Sequence, residues 1–183
     1  MIKFETERLI LKTLNEKHGK IVLDYLTRNE KFFKPWGSEY PKGFFILNFQ
    51  KKSLRAIEQQ EKAGAQYRFF VFKKSGGDRI IGNVSFSEVI RANFQCCFLG
   101  YKIDEHENNN GYATESIGRC VSFAFDDLKL HRIEANIIPK NPASIRVIEK
   151  LGFVNEGLSK KYLKIDGEWQ DHYHFALLNE AIE

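Results

Sequence analysis

Long apolar runs are missing from this chain. None approaches the roughly 20 residues of a membrane-spanning helix, and the stretch from Met1 to Arg8 lacks a secretory signal's apolar region. No membrane partner is expected. Cysteine is scarce as well. Cys96, Cys97 and Cys120 fall in no Cys-x-x-Cys or metal-ligand spacing, and an odd number does not make a disulfide framework. A reducing, cytoplasmic location and no metal are therefore expected. Charge of one sign is also lacking. The net charge of +4 is modest and evenly spread, which argues against a nucleic-acid partner and suits a small anionic ligand. No Gly-x-Gly-x-x-Gly follows a first strand, so a dinucleotide-binding oxidoreductase is disfavoured. With no linker, repeat or low-complexity tract, residues 1–183 read as one domain.

What is abundant is apolar and aromatic. Hydrophobic residues make up 43%, and sixteen phenylalanines imply an aromatic-rich core or pocket. Residues 8–12 read as a strand, and Thr13-x-x-Glu16 as a capping box opening a helix with a buried stripe of His18, Val22, Tyr25 and Leu26. An irregular segment, 34–41, precedes a second helix over about 44–63. Strands follow over 67–73, 79–89 and 94–103. From Gly111 the period changes, and Ala113, Ile117, Cys120, Val121, Ala124 and Leu128 share one helical face. A strand over 132–138 comes next. Asn141 then caps a short helix with Pro142 in its first turn and Gly152 as terminator. Residues 154–165 and 169–178 form a hairpin turning at Asp166-Gly167. Strands 94–103 and 132–138 are joined through a helix, so they should run parallel, with the other neighbours antiparallel.

The stretch from Ile103 to Ser116 is the most informative. A strand ends in a polar loop that closes on Gly111-x-Ala113 and opens the amphipathic helix. Unpaired N–H groups and the helix dipole then face the loop, which makes an anion cradle. Asn110-Gly111 alone would be a hairpin turn, but here a helical stripe follows it, so a phosphate-bearing ligand is expected.

Several motifs occur in order: Thr6-Glu7-Arg8-Leu9-Ile10-Leu11; Leu99-Gly100-Tyr101; Gly111-Tyr112-Ala113-Thr114-Glu115; Leu130-His131-Arg132-Ile133-Glu134-Ala135; Asn141-Pro142-Ala143-Ser144 through Leu151-Gly152-Phe153; and Gly167-x-Trp169-x-Asp171-His172. With these motifs the chain resembles the GNAT family of N-acetyltransferases, in the RimJ/RimL branch that acetylates N-terminal residues of ribosomal proteins. The resemblance covers nearly the whole chain. It implies an α+β, three-layer fold with flanking helices. The sheet would be mixed, mostly antiparallel and seven-stranded, its fourth and fifth strands (94–103 and 132–138) a splayed parallel pair. It also implies acetyl-CoA as cosubstrate and a primary amine as acceptor, most simply a protein N-terminus. Loop amides of Asn108, Asn109, Asn110, Gly111, Tyr112 and Ala113 would hold the pyrophosphate. Tyr101, Lys102 and Ile103 would offer strand-edge backbone to the amide-rich pantetheine arm. Asn141 and Ser144 would lie near the pantetheine and thioester. Asn141 is a sound helix cap whatever else it does, and Arg146 reads as an exposed helix arginine that could also touch a phosphate.

The chain departs from the family pattern in three places. Asn108 stands where Arg or Gln is frequent, Phe98 where Glu is frequent, and Ile148 where related branches carry a general-acid tyrosine. Ser144 is then the best remaining group to meet the leaving thiolate. Glu134 is either the base or the ion-pair partner of an arginine. Asp171 and His172 match the branch motif or simply fix the final hairpin. The cysteines read as core. Trp36, Tyr40, Phe44 and Trp169 are expected walls of the acceptor groove.

A weak base favours α-amines. With a pKa of roughly 7.7–8.0, about a tenth is neutral at pH 7, against well under about one part in a thousand for lysine. A small-molecule amine as acceptor, and a non-catalytic acetyl-CoA-binding module, are the alternatives. A monomer and a homodimer are equally compatible with the sequence.

Overall fold

The computed structural model describes residues 1–37 and 39–182. Its strands are β1 (Lys3–Glu5), β2 (Leu9–Lys12), β3 (Tyr67–Lys73), β4 (Ile80–Ile90), β5 (Cys96–Ile103), β6 (Arg132–Ile137), β7 (Val154–Ile165) and β8 (Glu168–Leu178). Its helices are α1 (Gly19–Arg28), α2 (Glu30–Phe33), α3 (Leu47–Lys62), α4 (Tyr112–Ser122) and α5 (Pro142–Lys150). The strands form one sheet in the order β1-β2-β3-β4-β5-β6-β8-β7. Only β5 and β6 are parallel.

The sheet has eight strands where seven were expected, so the parallel pair is the fifth and sixth. The extra strand, β1, has three residues and pairs with β2. It is too short to show a period. What holds it is tertiary: the Phe4 ring lies 5.1 Å from Phe69 and 5.2 Å from Phe123.

A second correction concerns the first helix. A 3-10 turn, Glu16–His18, leads into α1, and Asn15 caps that turn, its side chain accepting from the Lys17 N–H, with His18 closing the box. Thr13 is buried instead. Its hydroxyl accepts from the Ile2 N–H and donates to Glu61. His18 therefore caps, while Val22 and Tyr25 carry the buried stripe.

Alternation along the strands builds two cores, one on each face. On one face Phe69, Val71, Val84, Phe86, Leu99 and Ile133 pack with Ile117 and Cys120 of α4 and Ile148 of α5. On the other, Phe70, Phe72 and Ile80 pack with Val22, Tyr25 and Leu54 from α1 and α3. This gives helix, sheet and helix layers. The second core is small. Across the middle of its face the strands present Arg68, Asn83, Ser85, Lys102 and Asn136, with Arg68 opposite Ser85 and Asn83 opposite Lys102. A groove lies there because these polar positions offer no apolar stripe for a helix to cover.

Candidate active site

The β5–β6 ladder is short. Cys96 pairs with Arg132, Cys97 with Ile133 and Phe98 with Glu134, and pairing then stops. β5 goes on pairing with β4 as far as Gly82–Ile103, and β6 with β8 as far as Ile137–Tyr173. Gly82 helps draw β5 aside, since a Cβ there would come within 2.8 Å of the Lys102 carbonyl oxygen. Beyond Phe98 the facing edges of the two strands are free of each other. Backbone polar groups at such an edge need partners, and an amide-rich arm supplies them.

Two cavities, of about 520 and about 570 Å³, meet at this opening. Both are lined by Trp36, Tyr101, Lys102, Asn141 and Ser144. Tyr101 spans the gap, its Oη donating to the Ser144 carbonyl at 3.1 Å. Burial pushes its phenol up to about 12, so it remains a donor.

The larger cavity runs along β5 to the loop before α4. Ile103, Asn108, Asn109, Gly111, Tyr112 and Ala113 line it, as do Arg146 and Lys150 of α5. Asn109 (φ +63) and Gly111 (φ +78) are left-handed, which turns the chain sharply into α4. The loop is fastened from behind. Asp104, 0% exposed, pairs with Arg28 at 2.7 Å and accepts from Asn29 Nδ2 at 3.3 Å and the His106 N–H at 3.2 Å. Burial pushes its carboxyl up, but these donors outweigh burial and hold it below its ordinary value. The Asn108 side chain is turned inward, donating to the Asp104 and Glu105 carbonyls at 3.1 Å each. Only its backbone is available to a ligand. Asn110 does not line the cavity; its carbonyl accepts from Arg8 at 3.0 Å. Arg8 in turn pairs with Glu115 at 2.6 Å, tying the strand edge to α4.

Asn141 caps α5 as expected, its Oδ1 accepting from the Ser144 N–H at 3.1 Å. Ser144 is thus held through both its backbone N–H and its carbonyl. Its hydroxyl has no hydrogen bond among the described residues, and it lies on both cavities.

The smaller cavity lies on the polar face of the sheet, below α1 and α3. Trp36, Tyr40 and Phe44 line it, and Tyr40 stacks on Phe44 at 4.6 Å. Ser38, within the irregular 34–41 segment, lies outside the described residues. Trp169 lines neither cavity and is 61% exposed, because alternation along β8 sends it to the far face. Leu163, Ile165 and His172 form the hairpin's side of the wall instead. His172 is 3% exposed, with its Nδ1 beside the Gln170 carbonyl at 3.0 Å. Burial pushes its imidazole below the ordinary value, which keeps it neutral near pH 7. Asp171 has a backbone task, accepting from the Lys161 N–H at 2.8 Å.

Glu134 takes the ion-pair role. It lies 2.7 Å from Arg132, which also pairs with Glu156, and it lines neither cavity. Phe98 also lies off both cavities, and Ile148 is fully buried in the core. The cysteines are buried free thiols. Burial pushes all three up, Cys96 to about 11, so they do not act as thiolates.

Arg68, Asn83, Ser85 and Asn136, which line the smaller cavity, were not singled out from sequence. Their signal was present: polar residues at alternate positions inside otherwise apolar strands, as in Asn83-Val84-Ser85-Phe86. Among the described residues no group of three or more His, Cys, Asp or Glu could hold a metal ion. None of the described helices is long and apolar enough to cross a membrane.

Comparison with known proteins agrees with this geometry. The model of the GNAT acetyltransferase domain matches residues 8–154. The ribosomal protein uS5-alanine N-acetyltransferase of Escherichia coli (strain K12) is 32% identical over 176 residues, covering 96% of this chain and 90% of that protein. The probable N-acetyltransferase YjcK of Bacillus subtilis (strain 168) is 38% identical over 153 residues, 84% of each chain. The crystal structure of a ribosomal-protein-S5-alanine acetyltransferase from Vibrio fischeri matches at a TM-score of 0.94 and 30% identity, over 100% of both chains. An opened parallel strand pair, an amide-lined loop beyond it and a sequence match across most of the chain converge. The chain belongs to the GNAT acetyltransferase family and is an acetyl-CoA-dependent N-acetyltransferase.

Proposed function

We propose that the acceptor is the N-terminal α-amine of a protein, a ribosomal protein in the first instance, and that the chain acts as one domain in the cytoplasm. The observation that carries this is the junction at Ser144. There a cavity suited to a nucleotide-bearing thioester opens into a second cavity that has a neutral imidazole on its wall. Two of the relatives named above are alanine acetyltransferases of a ribosomal protein, which supports this class of acceptor.

The thioester supplies an activated acetyl group. The residues of the chain do the rest. Loop amides of Asn108, Asn109, Gly111, Tyr112 and Ala113 bind the pyrophosphate, aided by Arg146 and Lys150 at the mouth. The free edge of β5 at Tyr101–Ile103 aligns the arm. The Ser144 hydroxyl donates a hydrogen bond to sulfur as it departs as a thiolate, which then takes its proton from water. Neutral His172 accepts the proton that the amine gives up. Glu134, engaged with Arg132, takes no part.

No strong base is needed. A tenth or so of an α-amine is already neutral at pH 7, whereas well under about one part in a thousand of a lysine is. Thiol release with a panel of amines, followed by mass spectrometry of proteins acetylated in a lysate, tests the proposal. Modified N-termini are the expected result. Acetylation of internal lysines with free N-termini untouched overturns it.

A further inference from the structure

We propose that the acceptor carries a carboxylate close to its reacting amine, and that Arg68 and Lys102 on the floor of the smaller cavity receive it. This rests on the α-amine reading above and narrows it to acidic acceptors.

Arg68 lies on β3 facing the groove, and its Nε is buried with no hydrogen-bond partner. A guanidinium N–H withdrawn from water without an acceptor is unfavourable, so the site is incomplete as it stands. Arg68 sits across from Ser85, and Ser85 across from Gly100. Lys102 lies two residues along the same face of β5. Lys102 lines both cavities and holds its ammonium 5.1 Å from the Phe33 ring centroid. Burial pushes both cations below their ordinary values, and the charge of Arg68 lowers Lys102 further. They are like charges sharing one low-dielectric floor.

No protein carboxylate compensates them. Among the described residues, Glu39 is the one acidic group lining this cavity. It sits at the rim, its Oε1 3.1 Å from where a Cβ of Gly167 would stand. Asp104 is engaged by Arg28 and Asn29, and Glu134 by Arg132. Tyr25 donates its hydroxyl to the Lys102 carbonyl, and burial keeps it protonated. The missing anion must come with the ligand. A carboxylate matches the fork of an arginine, whereas a polyamine would bring further positive charge to the floor.

Two sources share this chemistry: an Asp or Glu near the N-terminus of a peptide, and the α-carboxylate of a free amino acid. The test uses wild-type protein, acetyl-CoA and matched acceptors. These are peptides beginning with Ala that carry Asp or Asn, or Glu or Gln, at the second or third position, and alanine against alaninamide. In at least one pair the acidic member should lead in kcat/KM by on the order of tenfold. A leading peptide pair assigns the carboxylate to a side chain, and a leading alanine pair assigns it to the α-carboxylate. Arg68→Gln should bring that ratio close to one, and Arg68→Lys should keep part of it. The wild-type ratio decides even if a variant fails to fold.

Acetylation of every pair within about twofold overturns the inference and leaves the α-amine reading standing. So does an acid preference unchanged in both variants. Turnover on spermidine or lysine side chains with none on any α-amine overturns both.

Discussion

The two cavities that meet at Tyr101 are built in opposite ways. The larger one comes mostly from two near-continuous stretches, 101–114 and 141–150, which include the starts of α4 and α5, with Phe32, Phe33 and Trp36 alongside. Its loop is clamped from behind by the buried Asp104 network and by Arg8–Glu115. The smaller one gathers side chains from α1, α3, the 39–44 segment, β3 to β6 and the last hairpin. Backbone amides recognise what any CoA ester has in common. Side chains drawn from many elements set what is particular to one acceptor. On the function proposed above, the difference separates general donor binding from acceptor choice, and substitutions on each side should part accordingly.

The largest expected effect comes from removing the clamp. Asp104→Ala removes the buried carboxylate that Arg28, Asn29 and the His106 N–H share, leaving Arg28 its contacts with Asp24 and the Ile80 carbonyl, and should cost about 3 kcal/mol in denaturant unfolding. CoA affinity should fall with it as the loop loosens. The same carboxyl fixes a pH dependence. Its folded-state pKa is depressed, so its stabilisation is complete above the unfolded value of about 4. That contribution is lost as pH falls through the folded value, and unfolding midpoints measured from pH 7 down to 2 should show the loss.

Ser144→Ala should lower kcat on the order of a hundredfold, as loss of a hydrogen-bond donor to the developing charge does. CoA binding by calorimetry should stay within about twofold. Equal losses in both would make Ser144 a binding residue. Gly111→Ala puts a Cβ on a left-handed backbone, 3.4 Å from the Arg8 guanidinium. It should cost about 1–2 kcal/mol of stability and weaken CoA while leaving the acceptor KM largely unchanged. The smallest effect sharpens the contrast. Trp36→Ala, at the junction, should raise the KM for both substrates, whereas Trp169→Ala on the far face should change either by less than about twofold. Equal behaviour of the two tryptophans would mean that the hairpin closes over the acceptor in solution.

Much of this was legible in the chain. The change of period at Gly111, the polar loop before it and the Asn141–Pro142 cap fall on stretches that line the larger cavity. Asn110 is the exception, its carbonyl turned to Arg8. These features rest on contacts a few residues apart. The acceptor side was read less well. Trp36 and Tyr40 line the cavity as expected, but Trp169 does not, because counting outward from Asp166-Gly167 does not say which face of the sheet has the groove. Arg68 was passed over because a lone arginine among Tyr67, Phe69 and Phe70 looks like an exposed edge residue until α1 and α3 cover its strand.

The parallel crossover, the turn into α4 at Gly111 and the Asn141 cap of α5 were settled by the sequence itself, because capping, helical period and glycine geometry are local properties. The tertiary structure alone decided where the β5–β6 ladder stops and that Glu134 turns to Arg132. It also decided that two cations share a floor with no acid beside them. Those outcomes depend on which strands lie side by side and on what the packing leaves uncovered, and neither is written in the spacing of any single segment.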